Sequence, residues 1–177
     1  HYDGSTGAVS KVPGLMGKGL KSHEAFAVSP EGSRLAFLGA GGYTHIVDGR
    51  NKVWQMDVRC NTAVRAATFS DESTLFTSGL DADVYQWDLR MSARCVSRFR
   101  HEDGTCTSAL AVAANSSYLA VGAESGVMSL FDVTKLPKGA AADPPSPVKS
   151  ALNLTTRIGT VCFHPASQLV AYSSPEV

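Results

Sequence analysis

The sequence predicts an all-β protein built from a repeated four-stranded unit. Three observations carry that reading. Short β-type runs at 25–28, 35–38, 84–87 and 127–131 are separated by Gly, Ser, Asp and Pro clusters, and no long segment places apolar residues at helical spacing. The runs recur: "AFAVSPEGSRLAFLG" aligns with "AATFSDESTLFTSG", "LAVAANSSYLAVG" and "VCFHPASQLVAYSS", each a strand, a polar turn and a strand opening on Leu. Those leucines, Leu35, Leu75, Leu119 and Leu169, are 40, 44 and 50 residues apart. An apolar residue followed by Asp also recurs, at Tyr2-Asp3, Val47-Asp48, Trp87-Asp88 and Phe131-Asp132, with the aspartates 45, 40 and 44 residues apart.

A period of roughly 40–45 residues with four short strands per unit is the signature of a WD-repeat β-propeller. One blade cannot bury both of its faces alone, so blades stack around an axis. Both faces then need apolar cover, and strict alternation relaxes. The predicted class is therefore an incomplete WD40-type β-propeller of about three full blades and two partial ones, one domain over 1–177.

In chain order, residues 1–12 supply a partial blade with a strand at 8–12, and the connector "PGLMGKGLKS" follows. Full blades are expected at about 23–58, 62–99 and 108–154, and a second partial blade at 158–177. The Pro-rich stretch 134–148 should be an exposed, mobile loop between third and fourth strands. A propeller needs about 4–8 blades. Closure would require the two partial ends to complete one blade together; otherwise blade edges stay open. The chain starts without Met and stops just after an apolar run, so it is expected to be a piece of something larger.

Charge and cysteine content narrow the function classes. Sixteen basic residues balance sixteen acidic ones, so no global field drives the chain toward nucleic acid or membrane, although a local basic face is compatible with that balance. Cys60, Cys95, Cys106 and Cys162 are too far apart for a metal knuckle or redox motif and read as reduced thiols of the cytosol or nucleus. No apolar run approaches the ~18 residues of a membrane span. Asn115-Ser116-Ser117 and Asn153-Leu154-Thr155 match the glycosylation pattern, but no signal peptide makes them usable.

Within the repeat, "AFLGAGGYTHIVDG" reads as a hairpin turn whose glycines supply positive φ or close approach. As a dinucleotide fingerprint from Gly39 it fails, because Thr44 occupies the last glycine position and an alternating strand follows instead of a helix. "SGLDADVYQWD" performs the same turn 40 residues later, with Asp81 placed to cap it and Trp87 closing the third strand. Trp87 should pack between blades, while Trp54, on the fourth strand, is core unless exposed. Asp3, Asp48, Asp81, Trp87, Asp88 and Asp132 are the structural repeat positions.

The wording of the motifs is more specific than the period. "KVPGLMGKG", "VSPEGSRLAFLGAGGYTHIVD", "NTAVRAATFS", "DADVYQWDLR", "GTCTSALAV" and "YLAVGAESGVMSLFD" together resemble the U3 small nucleolar RNA-associated protein 18 family, most clearly from Lys11 to Asp132. The departures are Asn115-Ser116-Ser117 for a Pro-Asp-Gly-type turn, Ala82 for a glycine, and no Gly-His pair, with His101 its nearest candidate. The resemblance implies a nucleolar, non-catalytic scaffold of the small-subunit processome. Its partners would be UTP-B proteins, the U3 ribonucleoprotein and pre-ribosomal RNA, with a role in 18S rRNA maturation. It implies no cofactor, no metal and no small-molecule substrate. The alternatives are a generic WD-repeat adaptor in another nuclear or cytoplasmic complex, and a propeller enzyme with a channel-mouth site.

Motifs for catalysis do not assemble. "SHEAFA" lacks the second histidine of a zinc-protease helix, since Ala27 falls there. "GLMGKGLKS" misses the phosphate-loop spacing, with Leu20 after Gly19. His101-Glu102-Asp103 has no converging nucleophile, and no G-x-S-x-G elbow is present. Pro144-Pro145-Ser146-Pro147 has the P-x-x-P form of either a spacer or a docking segment. Basic residues are the better clue: Lys18 and Lys21 in the connector, Arg65 opening an inner strand, and Arg94 and Arg98 on the second blade's outer strand are the candidate contacts to RNA or an acidic partner.

Overall fold

The computed structural model describes residues 7, 9, 25–90, 94–101, 105–140, 144–166 and 168–175. The first sheet runs in order through β1 (Phe26–Val28), β2 (Arg34–Leu38), β3 (Tyr43–Asp48) and β4 (Trp54–Arg59). The second holds β5 (Val64–Phe69), β6 (Thr74–Gly79), β7 (Asp83–Asp88) and β8 (Arg94–Arg100). The third holds β9 (Thr107–Val112), β10 (Tyr118–Ala123), β11 (Val127–Asp132) and, after β12 (Gly139–Ala140), β13 (Lys149–Leu152). A last pair, β14 (Thr160–Phe163) and β15 (Val170–Ser173), forms a fourth sheet of two strands. All pairings are antiparallel except that of β12, which runs parallel beside β8.

The sheets bury both faces, and strand alternation decides which neighbour each side chain meets. In the second sheet Leu75, Tyr85 and Trp87 join Ala36, Ile46 and Val58 of the first. Their neighbours Phe76, Val84 and Phe99 turn the other way and meet Leu119, Val121 and Phe131 of the third. On the third sheet's far face, Ala109, Ala120 and Met128 pack on Ile158 and Val161 of the fourth. Three apolar layers therefore join four sheets, and a central strand such as β6, from Leu75 to Gly79, is buried throughout.

The repeated aspartates have a local cause. Asp48 Oδ1 accepts from the backbone N–H groups of Arg50 and Asn51 at 2.9 and 2.8 Å. Asp88 Oδ1 accepts from Arg90 N at 3.0 Å, and Asp132 Oδ1 from Thr134 N at 2.9 Å. Each carboxylate closes the turn that leaves a third strand. Asp3 lies outside the described residues.

The glycine cluster forms a single 3₁₀ turn at Ala40–Gly42 between β2 and β3. Gly41 and Gly42 have φ of +68° and +84°. A Cβ on Gly42 would lie 2.5 Å from the Cys60 carbonyl oxygen, so this position requires glycine on both counts.

The segment after β11 is less of a free spacer than its composition suggests. A 3₁₀ turn at Val133–Lys135 follows Asp132, and Val133 and Leu136 pack against the layer between the second and third sheets. Gly139 and Ala140 then pair with Ser97 and Arg98. The reason is the outer edge of β8, whose unpaired backbone groups offer a partner to any extended segment that passes.

Candidate interaction site

The first strands of the four sheets converge on common space. One cavity of about 210 Å³ is lined by residues of β1, β5, β9 and β14. A second, of about 320 Å³, opens between the first two sheets beside Leu38, Gly39 and Leu80. Arg65 lines both and is the one charged residue, among those described, that does so. Its placement follows from the register of β5. Val64 faces Gly79 while Ala66 faces Ser78, so Arg65 is the extra residue of a β-bulge. A bulge bends the strand and re-aims the side chain it carries. Ser108 occupies the corresponding bulge of β9 and donates to the Ile158 carbonyl at 2.6 Å, tying the third sheet to the fourth. Arg65 instead reaches solvent.

The other basic candidates separate into different roles. Arg98 donates to Asp83 Oδ2 through Nε at 2.8 Å and Nη2 at 2.5 Å, and its guanidinium lies 5.3 Å from the Tyr85 ring centre. Arg100 adds a 3.1 Å bond to the other Asp83 oxygen. The Asn61 amide, with its oxygen toward Arg98, accepts from both terminal nitrogens at 3.0 and 3.1 Å. Arg98 is thus committed to fastening the fourth strand, because Asp83 is almost fully buried and needs a counter-charge. Asp83 escaped sequence reading although counting the antiparallel register back from Arg100 finds it. Arg94 is exposed and lines a cleft of about 490 Å³ with Val96, Leu136 and Lys138. Lys18 and Lys21 lie outside the described residues.

Asp81 lies in the β6–β7 turn, where its Oδ2 accepts from the Tyr85 hydroxyl at 3.1 Å. Trp87 is buried against the first sheet, and its Nε1 donates to Thr77 Oγ1 at 2.8 Å. Cys60 Sγ lies 3.2 Å from that same hydroxyl, and burial pushes the Cys60 thiol up to about 11. Trp54 is half-buried and donates to Asp57 Oδ1 at 2.6 Å, the same oxygen that His45 Nδ1 meets at 2.7 Å. His101 is buried and meets the Phe131 ring edge-on. Among the described residues no group of three His, Cys, Asp or Glu side chains is placed to hold a metal ion. No helix there is long and apolar enough to cross a membrane.

The chain also has named relatives. Proteins named U3 small nucleolar RNA-associated protein 18 homolog from Mus musculus and Arabidopsis thaliana are each 30% identical to it over 174 residues, 98% of this chain. The Homo sapiens homolog is 30% identical over 177 residues, 99% of the chain. The chain spans 31% of the length of each of these curated relatives. No family model matches it. A WD40 propeller chain in the crystal structure of the mitotic checkpoint complex superposes with a TM-score of 0.82 at 17% identity, covering 97% of this chain and 49% of that one. The fold is therefore that of a WD40-type β-propeller, here incomplete, and the sequence resembles the U3 small nucleolar RNA-associated protein 18 family over nearly its whole length.

Proposed function

We propose that the chain is part of a non-catalytic propeller scaffold of the small-subunit processome. There it supports assembly of the U3 ribonucleoprotein and maturation of 18S rRNA in the nucleolus, beside other UTP-B proteins. The observation that carries this reading is 30% identity to the named relatives across nearly the full chain. Stacked blades form a rigid body with exposed rims, which fits a structural role. Arg65 at the convergence of first strands and Arg94 on the outer strand are the contact residues with exposed side chains. Lys18 and Lys21 join them as sequence-based candidates, and Arg98 acts through Asp83. The test is affinity purification of the tagged full-length protein, with RNA sequencing of the eluate. U3 RNA, processome proteins and 18S precursors should co-purify, and depletion should make those precursors accumulate. Recovery of cytosolic complexes without U3 RNA would replace this reading with that of an adaptor elsewhere.

A further inference from the structure

The cleft beside β8 has the parts of a peptide-docking groove. Its floor is the outer edge of a strand. β12 pairs with that edge only at Ser97 and Arg98. Ahead of it, the segment from Val133 to Gly139 stands away from Arg94, Cys95 and Val96, and the gap between them is the cleft of about 490 Å³. Among the described residues no strand pairs with the outer edge of Arg94–Val96. Val96 is itself the extra residue of a bulge, because Gln86 faces Ser97 while Trp87 faces Cys95. A bulge is one of the devices that keep an exposed edge from indiscriminate pairing.

The walls give the groove a chemical preference. Val96, Val133, Leu136 and Pro137 are apolar, and the charged lining residues are Arg94 and Lys138, with no carboxylate among them. The nearby acids are already engaged: Asp88 by Arg90, Asp132 by Lys135, and Asp83 by Arg98 and Arg100. Arg94 and Lys138 are both exposed, and no carboxylate is paired with either among the described residues.

The geometry points to a docking groove for an extended acidic peptide of a partner protein, which adds a short strand to Arg94–Val96 and sets carboxylates against Arg94 and Lys138. Backbone pairing supplies affinity in such strand addition, and alternate side chains supply specificity. Charge complementarity selects acidic over basic sequences and speeds encounter. A nucleic-acid strand would use the two cations but leave the strand edge and apolar wall unused, so the peptide is the occupant that accounts for all three features. The inference does not depend on the ribosome-assembly reading, since any partner carrying such a segment satisfies it.

The test is selection of a random heptapeptide display library on the full-length protein, with counter-selection on the Arg94→Glu/Lys138→Glu variant. Both residues are exposed, and an unchanged melting temperature shows that the variant folds. Enriched peptides should carry alternating Asp or Glu and bind the variant at least tenfold more weakly. They should also lose binding when their central amides are N-methylated, and should slow hydrogen exchange at Arg94–Val96. Absence of acidic enrichment, or selected peptides that bind the variant equally well, overturns the proposal. So does a uridine oligonucleotide whose binding depends on both residues while acidic peptides do not bind.

Discussion

The second and third sheets share one topology and hold it by different chemistry. In the second, Trp87, Thr77 and Cys60 form a polar line through a buried layer, and Tyr85, Asp81, Asp83 and Arg98 extend it toward the edge. At the matching register positions the third sheet carries Phe131 for Trp87 and Val121 for Thr77. There the Phe131 ring meets Phe99 at 5.3 Å and His101 edge-on at 6.2 Å. The two turns differ as well: Ala82 holds φ of +62° where the third sheet uses Gly126 at +87°. The blade shape thus depends on register, turn closure and two apolar faces, whereas hydrogen bonds through the layer are one optional means of fixing its orientation.

The largest expected effect is on the apolar side of this comparison. Phe131→Ala should lower unfolding free energy by about 3–5 kcal/mol, because a fully buried ring leaves a cavity between two sheets. Denaturant unfolding checks it, and a loss under about 1 kcal/mol would show that the layer refills easily. Gly126→Ala comes next, at roughly 2–3 kcal/mol, since its Cβ would stand 2.2 Å from the Leu154 carbonyl oxygen at a strained φ. The converse change, Ala82→Gly, should instead be neutral to stabilising by up to about 1 kcal/mol. Equal destabilisation by both would remove the distinction between the two turns.

Trp87→Phe should cost about 1–3 kcal/mol by stripping the buried Thr77 hydroxyl of its indole donor. Adding Thr77→Val imports the third sheet's solution and should recover part of that loss in a double-mutant cycle. Strict additivity would mean that the two solutions are not exchangeable. The smallest effect is acidic. Asp88 is held down at about 2, chiefly by its hydrogen bonds from Arg90, and Asp132 is lowered mainly by the Thr134 hydroxyl. Both carboxyls titrate lower when folded, so their contribution is present above the unfolded value near ~4 and is lost as pH falls through the folded values. Carboxyl NMR titration should show Asp132 protonating before Asp88, and the reverse order would break the assignment of Arg90 as the stronger partner.

Much of this was legible in the residues. The recurring leucines and aspartates reported real positions: Leu75 and Leu119 are the second residues of second strands, and Asp48, Asp88 and Asp132 cap the turns that leave third strands. Such features are local, so they leave marks at fixed offsets. Arg98 was less legible. It reads as a free cation in the sequence, and only the pairing of β7 with β8, which sets Arg98 opposite Tyr85 and diagonal to Asp83, shows where its charge goes. The "KLPKG" segment was opaque for a related reason, since its pairing with β8 belongs to a neighbouring sheet about 40 residues earlier in the chain.

The sequence by itself determined the repeat, the strand content, the turn chemistry and the family likeness, because each rests on short-range patterns of polarity, glycine and capping acids. Tertiary structure alone decided where bulges aim Arg65 and Ser108, which basic side chains are exposed, and which strand edge is unpaired beside Lys138 among the described residues. Those outcomes depend on which faces meet across sheets, and burial and counter-charges are properties of neighbours that lie far apart along the chain.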